Sequence, residues 1–501
     1  MSELKTLYRH CAHYLGGRVC LMLLGFLSFP VLTRIFSVAE YGTMSLVLKI
    51  LLLLTVIGKF GLQNSVQRFY AEDGASPDLS HSRRFYSTLL FGSGMTGLTV
   101  MMVFVGVLWL APSGTLGTSL RQLFLLAAVL VVVRSMYPTL LGFLRAEGRT
   151  RTYNVVEISV KACTVVAICL LLLFWRRSLN VFFGVTLAAE VAGVLILMLV
   201  LYRRGVLDIR AMDWSYFRQM AFFAFPLIGY ELASVILDSG DRLLVQHFLG
   251  AQSLGFYSAA YNVSTYIEES LMVPINLALF PIYMKLWVEK GKGETQAFLS
   301  RSLNNFLALA VGVGCLALLT SSDVIVVLAS RKFQQAHSLI PVLVTGLLIY
   351  AVHIFLNAAL LIYKKTALMT RLVVYACVAN LILNVILIPR MGLQGAAVAT
   401  LLSYLMLVVM MGRVSFRLLP LQISYSGFLW NMAAGALTYV VIRPIHLYSA
   451  LASAGVKGSL GALTYSIFLF ALNPGIRNQL AGMLRQRHDA GKAHRAEMAV
   501  S

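Results

Sequence analysis

Twelve ionisable side chains fall inside stretches of sequence that are otherwise almost wholly apolar. Five are basic, all in the first half of the chain: Arg18, Lys49, Lys59, Arg134 and Lys161. Seven are acidic: Glu157, Glu190, Glu231, Asp238, Asp241, Glu268 and Glu269. In hydrocarbon, each would cost about 2.5–3.5 kcal/mol at the centre of a lone helix. They must therefore face water, pair with one another, or snorkel. A cation held at such depth can replace water around an anion as a charge-assisted donor. Carboxylates clustered in low dielectric can exchange protons or bind Na⁺. Both are the chemistry of moving a charged solute.

Spacing refines this. Lys49 lies about eight residues into its apolar stretch and Arg134 about fifteen, near the bilayer midplane at ~1.5 Å rise per residue. Arg18 and Lys59 lie near the inner ends of theirs, where long side chains snorkel. Glu157 and Lys161 are four apart with Glu first, the favourable order for a pair on one helix face. That pair reads equally as a structural ion pair or as part of a cavity. Glu231 and Asp238 are seven apart and share a face, while Asp238 and Asp241 are three apart and near neighbours. Arg242 follows Asp241 and could neutralise it locally. Glu268 and Glu269 are adjacent, so at most one lines a cavity. We assign the basic set to anion binding and Glu231, Asp238, Asp241, Glu268 and Glu269 to ion coupling. The alternative for the acidic set is structural polar pairing between helices.

The elements that hold these residues are membrane helices. Hydrophobic residues make up 59% of the 501 residues and charged residues 12%, against about a quarter charged in an average globular chain. Mean hydropathy is +0.81. A spanning helix needs about 20 mostly apolar residues. About fourteen stretches qualify, near 13–36, 41–61, 85–111, 119–143, 153–174, 179–202, 219–249, 254–284, 303–329, 336–362, 367–389, 392–412, 427–447 and 449–472. Pro30, Pro138, Pro226, Pro274 and Pro281 lie within or at the edge of these spans and are candidate kinks. No small-residue cleavage site follows the first run, which reads as a retained signal anchor.

With the N-terminus inside, inner segments hold 26 Lys and Arg residues and outer loops 10, among them Arg242 and Lys457. The positive-inside rule then places both termini in the cytoplasm. The same bias accounts for most of the +21 net charge. Aromatics lie along helices and not among basic residues in a groove, so nucleic-acid binding is not expected. The six cysteines are scattered through apolar segments with no metal spacing and read as inert thiols. No cofactor or metal is expected. The basic tail from Gly475 reads as solvated and disordered, or as resting on anionic headgroups.

The chain also repeats itself. Arg34 to Leu46 reads RIFSVAEYGTMSL and Gln246 to Ala259 reads QHFLGAQSLGFYSA. Phe36 pairs with Phe248, Ala39 with Ala251, Glu40 with Gln252 and, after a one-residue gap, Gly42 with Gly255 and Ser45 with Ser258. A membrane chain whose second half restarts the pattern of its first reads as a two-lobed transporter. We expect a first lobe over 1–205, a parallel repeat over 206–415, two added helices over 416–474 and a basic tail over 475–501.

The stretches GFLSFPVLTRIFSVAEYG (Gly25 to Gly42), FGLQNSVQRFYAE (Phe60 to Glu72), SGDRLLVQHFLGAQSLGFYSAAYNVS (Ser239 to Ser264) and NVILIPRMGLQGAAVATLLS (Asn384 to Ser403) resemble polysaccharide exporters of the Wzx type. The resemblance covers about the first 415 residues. It implies an all-α polytopic fold of two six-helix lobes in a V, and a place in the bacterial cytoplasmic membrane. It further implies flipping of an undecaprenyl-pyrophosphate-linked oligosaccharide to the outer leaflet, with membrane lipids around it and a polysaccharide polymerase downstream. The family has no invariant catalytic motif to carry across, so the site residues rest on charge position. No GxxxxGK[ST] phosphate loop occurs, so an H⁺ or Na⁺ gradient, or downstream consumption, is expected to drive transport. Two alternatives stand: a cation exporter of the MATE type, which shares the fold, and a membrane-embedded sugar polymerase or ligase. Short outer connections without a His/Asp/Glu cluster weigh against the enzyme.

Overall fold

The computed structural model describes residues 2–75, 78–112, 117–445 and 447–478, with side chains from Gly16 onward. The expected basic tail lies outside the described residues from 479 on. The first reversal joins α1 (Ser2–Ile35) to α2 (Val38–Gly58). Ser37 caps α2: its hydroxyl accepts from the Glu40 N–H (3.2 Å), and the Glu40 carboxylate accepts from the Ser37 N–H (2.8 Å). This reciprocal box satisfies two donors that a helix start leaves open. Past α2, Gly61 takes φ +67°, a left-handed conformation that glycine adopts without penalty. It turns the chain into the short α3 (Leu62–Phe69). Then follow α4 (Leu79–Leu110), α5 (Thr118–Ala146), α6 (Thr150–Phe174) and α7 (Leu179–Arg203).

The second half opens with three successive helices over 214–329. Non-helical backbone at Gly250 (φ 80°, ψ 178°) and Gly291 (φ 74°, ψ −163°) separates them as α8 (214–249), α9 (251–290) and α10 (292–329). The chain therefore reverses at glycines, while Pro226, Pro274 and Pro281 remain inside helices. A 3₁₀ turn, Arg331–Leu339, leads to α11 (Ile340–Ala351) and α12 (His353–Ile362), which together make one span. Next come α13 (Thr366–Met391), α14 (Leu393–Leu418), α15 (Tyr425–Ile442) and α16 (Ala450–Leu472). Among the described residues there is no strand, and eleven helices are long and apolar enough to cross a membrane; the longest divides at Gly250 and Gly291 into three, and α15 adds one further segment, giving fourteen in all. The shortest, α15, has 18 residues, about 27 Å at 1.5 Å per residue and enough to cross a hydrocarbon core. The protein is a multi-pass membrane protein. Exposed Trp109, Phe174 and Trp175 mark one edge of the apolar band, and exposed Tyr202, Trp214 and Tyr425 the other, as interfacial aromatics do.

The two copies of the repeated motif pack on each other. A Cβ on Gly42 would overlap the Ala251 carbonyl, and one on Gly255 would overlap the Val38 carbonyl. The α1–α2 turn is also gripped by the end of α10. Arg34 donates to the Val327 carbonyl (2.8 Å), and Lys332 donates to the Phe36 carbonyl (2.5 Å).

The last two helices dock on α10. Tyr465 donates to the Ala308 carbonyl (2.6 Å) and its ring lies against Gly312. Lys457, expected in an outer loop, is instead buried in α16, where it meets Asp323 of α10 at 3.0 Å. Ser453 completes the group by donating to Asp323 at 2.7 Å. The apolar cover leaves Lys457 no route to water, so it pairs. Removing one partner of a buried pair strands the other charge. We predict that Lys457→Met lowers stability by about 3 kcal/mol, read from thermal unfolding in detergent. Adding Asp323→Leu to it restores most of the loss. A double variant no more stable than the single would show that the pair does not hold α16.

Candidate functional site

A cavity of about 630 Å³ opens within the first lobe, walled by α1, α2, α5, α6 and α7, with Asn262 and Tyr266 of α9 at its margin. Four charges line it: Arg134, Glu157, Lys161 and Glu190. Arg134 on α5 and Glu190 on α7 form a two-pronged pair, Nε to Oε2 at 2.8 Å and Nη2 to Oε1 at 2.7 Å. The planar guanidinium matches a carboxylate fork in this geometry. Lys161 on α6 is exposed to the cavity, and its ammonium makes no ion pair among the described residues. The expected Glu157–Lys161 pair does not form. Glu157 instead takes a hydrogen bond from Tyr153, one turn earlier. Lys161 is left facing the space beside Arg134 and Glu190.

A second set of charges joins α2 to α8. Lys59 pairs directly with Glu231, which also accepts from Gln63 Nε2 at 3.3 Å. Lys49 lies 3.7 Å from Asp238. The helices run antiparallel, so the two lysines on one meet the two carboxylates on the other in reverse order. Lys59 therefore does not snorkel: a carboxylate within reach outweighs a stretch toward the interface.

Beside this ladder, Asp241 and Arg242 are fully buried in α8. Arg242, expected in an outer loop, is held by Asp241 (3.4 Å) and the Asp238 carbonyl (2.7 Å), with its guanidinium 3.9 Å from the centre of the Tyr261 ring. Tyr257 (2.5 Å) and Thr400 (3.3 Å) donate to Asp241. Tyr261 (2.9 Å) and Ser239 (2.8 Å) donate to Asp238, and Tyr404 lies 3.0 Å from the Tyr261 hydroxyl. Asp241 is thus enclosed, whereas the Asp238 side chain keeps 46% exposure. Sequence reading missed Tyr257, Tyr261, Thr400 and Tyr404. Only the four-residue spacing of Tyr257 and Tyr261 on one helix face hinted at them.

Glu268 and Glu269 are half-buried on α9 and form no ion pair among the described residues. Glu268 lies within electrostatic reach of Glu269 and Asp238, and Glu269 within reach of Arg18 and Lys49. Arg18 is exposed. The ten assigned residues therefore fall into three groups. Arg134 and Lys161 share the first-lobe cavity. Lys49, Lys59, Glu231 and Asp238 form the interlobe ladder with Asp241 behind it. Arg18, Glu268 and Glu269 make a looser set. Among the described residues, no group of three or more His, Cys, Asp or Glu side chains could hold a metal ion.

This layout of charge in a two-lobed bundle can be set against known proteins. Residues 8–287 match the family described as polysaccharide biosynthesis protein, more than half of the chain. The chain belongs to that family. Within this polysaccharide biosynthesis protein, 212 residues are 26% identical to a probable low-salt glycan biosynthesis flippase of Haloferax volcanii, covering 41% of the chain and 44% of that relative. A putative O-antigen transporter of Shigella flexneri is 25% identical over 233 residues, 44% of the chain and 54% of the relative. The chain thus spans about half the length of these two relatives. In structure it is similar to the lipid II flippase MurJ in an inward closed conformation, with a TM-score of 0.72, 14% identity, and 91% and 97% of the two chains covered. An inward-facing multidrug resistance MATE family transporter follows with a TM-score of 0.63, 12% identity, and 83% and 94% covered. At such identities the likeness shows the fold, two six-helix lobes with two added helices.

The ladder makes a directional prediction. Lys59→Glu sets two carboxylates against each other and, under the export function proposed below, should cut transport at least tenfold. Reversing both charges, Lys59→Glu with Glu231→Lys, should recover most of it. Transport is measured as surface polysaccharide in a complemented deletion strain, with membrane level checked by blot. A double variant as inactive as the single would remove the pair from the interlobe contact.

Proposed function

We propose that this protein flips a polyprenyl-pyrophosphate-linked oligosaccharide, on undecaprenyl in the family's usual form, from the cytoplasmic to the outer leaflet of the bacterial inner membrane. Both termini lie in the cytoplasm. It is a secondary transporter and not an enzyme. The observation that carries the reading is Lys161, a cation open to a first-lobe cavity with Arg134 beside it. A diphosphate leaving water needs donors of this kind. The two relatives, a probable low-salt glycan biosynthesis flippase and a putative O-antigen transporter, support the same class. The lipid tail stays in the bilayer while the sugars pass between the lobes, which rock about the site. Lys49 and Lys59 serve this cycle through the ladder, and Arg18 through its position opposite Glu269.

Coupling to H⁺ or Na⁺ is assigned to the second-lobe carboxylates. Glu268, Glu269 and Asp238 are the accessible members. Glu231 and Asp241 are engaged by Lys59 and Arg242 and act through those partners. A polysaccharide polymerase acting on the flipped repeat unit would keep the reaction moving outward. The second reading is a MATE-like cation exporter, favoured by Glu157 and Glu190 in the same cavity.

Lys161→Met and Arg134→Met should each abolish export while the protein still inserts. Single repeat units on polyprenyl pyrophosphate should then accumulate in lipid extracts, where mass spectrometry identifies them. Normal export by both variants would end the anion-cavity reading, and sensitivity to cationic drugs in their place would favour the exporter. For coupling, Glu268→Gln with Glu269→Gln should flatten the dependence of transport on pH or Na⁺ in proteoliposomes. An unchanged dependence would take that pair out of the coupling scheme.

A further inference from the structure

The first-lobe cavity is electrically balanced, with Arg134 and Lys161 against Glu157 and Glu190. It is not a plain basic pocket, and the two cations stand differently. Lys161 faces open space. Arg134 presents two N–H groups, Nε and Nη2, and Glu190 takes both, at 2.8 and 2.7 Å. A phosphate binds a guanidinium through two parallel N–H···O bonds as well. Glu190 therefore sits where a phosphate oxygen pair would sit. It reaches there from α7, whereas Arg134 projects from α5 and Lys161 from α6, so the three groups converge from separate helices. Neither partner is sealed from the cavity, with side-chain exposures of 25% for Arg134 and 21% for Glu190. The pair can thus open without unfolding the lobe.

We propose that Glu190 is an internal stand-in for the substrate phosphate: it holds Arg134 in the empty cavity and is displaced when a diphosphate binds across Arg134 and Lys161. This rests on the flippase reading above and adds a specificity-determining residue to it. With Glu190 in place, Arg134 has its charge balanced and a single weak anion gains little by exchanging for the carboxylate. A diphosphate that reaches Lys161 at the same time gains a second cation. The pair thereby sets a threshold that favours diphosphates over monophosphates. The rest of the cavity lining, hydroxyl and amide groups such as Tyr137, Thr164 and Asn262 together with Glu157, brings one further carboxylate and no further cation.

The test is titration of the purified full chain in detergent with inorganic pyrophosphate and, separately, with orthophosphate. Glu190→Gln keeps the shape and removes the competing charge. It should bind pyrophosphate about tenfold more tightly than wild type and narrow the preference over orthophosphate. Glu190→Asp, which keeps the charge, should stay close to wild type. Arg134→Ala with Glu190→Ala should lose the gain, because the group released by Glu190 is gone. Equal pyrophosphate affinity for wild type and Glu190→Gln would overturn the proposal, as would a gain retained in the double variant. Absence of pyrophosphate binding to both wild type and Glu190→Gln would overturn it too. The transport reading is judged separately, by lipid-linked repeat units accumulating in cells that lack the protein.

Discussion

A charge in hydrocarbon has to find a partner or water, and this requirement organises the molecule. Along the chain, the basic residues of the first half and the acidic residues of the other half form two separate populations. In space they meet. Lys49 and Lys59 on α2 face Asp238 and Glu231 on α8, so the two halves are electrically incomplete until they associate. The uneven distribution in sequence is the imprint of a contact between lobes. Lys49, near the midplane, could not be exposed to lipid without a cost of about 2.5–3.5 kcal/mol.

The same helix is held by two different kinds of contact. Toward the α1–α2 turn, Gly42 and Gly255 let backbone approach backbone, with no room for a Cβ. Such a contact is short-ranged and depends on shape, so a small displacement forfeits it. Further along, the ion pairs act over longer range and can exchange partners in a wet cleft. Lys49 already lies near Glu269 as well as Asp238. A lobe that rocks would lose the glycine contact abruptly and the ion pairs gradually. Under the rocking proposed above, the glycine seam would act as a latch and the ladder as the contact that stays engaged.

The architecture was legible because it follows from simple rules. Apolar length marked the membrane helices, and the restart at Gln246 marked a second copy of the turn motif that packs on the first. The break at Gly250 falls between the expected spans 219–249 and 254–284, and the one at Gly291 lies past the expected end at 284, while the helices run through Pro226, Pro274 and Pro281, which were legible as kinks and not as ends. The site was legible in its residues but not in its pairings. Helical spacing favoured Glu157 with Lys161, but a tyrosine one turn back claimed Glu157. Charge counting sent Arg242 and Lys457 to outer loops, because a basic residue near a span end looks alike whether it meets water or a buried aspartate. The partners that decide such cases, Asp241 and Asp323, lie on elements whose packing one sequence does not reveal.

The pairing pattern bears on which solute the cavity suits. A cation entering the first lobe meets Glu190 already matched by Arg134 through both oxygens, and Glu157 already taking a hydrogen bond from Tyr153. It would have to compete for each. An anion meets Lys161 with no carboxylate engaged. The balance of charge in the cavity is even, but the balance of unengaged charge is positive. On the flippase reading proposed above, a wall that is neutral in total and cationic in what it offers would admit a lipid-linked diphosphate without holding it so firmly that release on the far side fails. That requirement, tight enough to desolvate and loose enough to let go, is what separates a carrier from a binding protein, and here the carboxylates beside the cations supply the looseness.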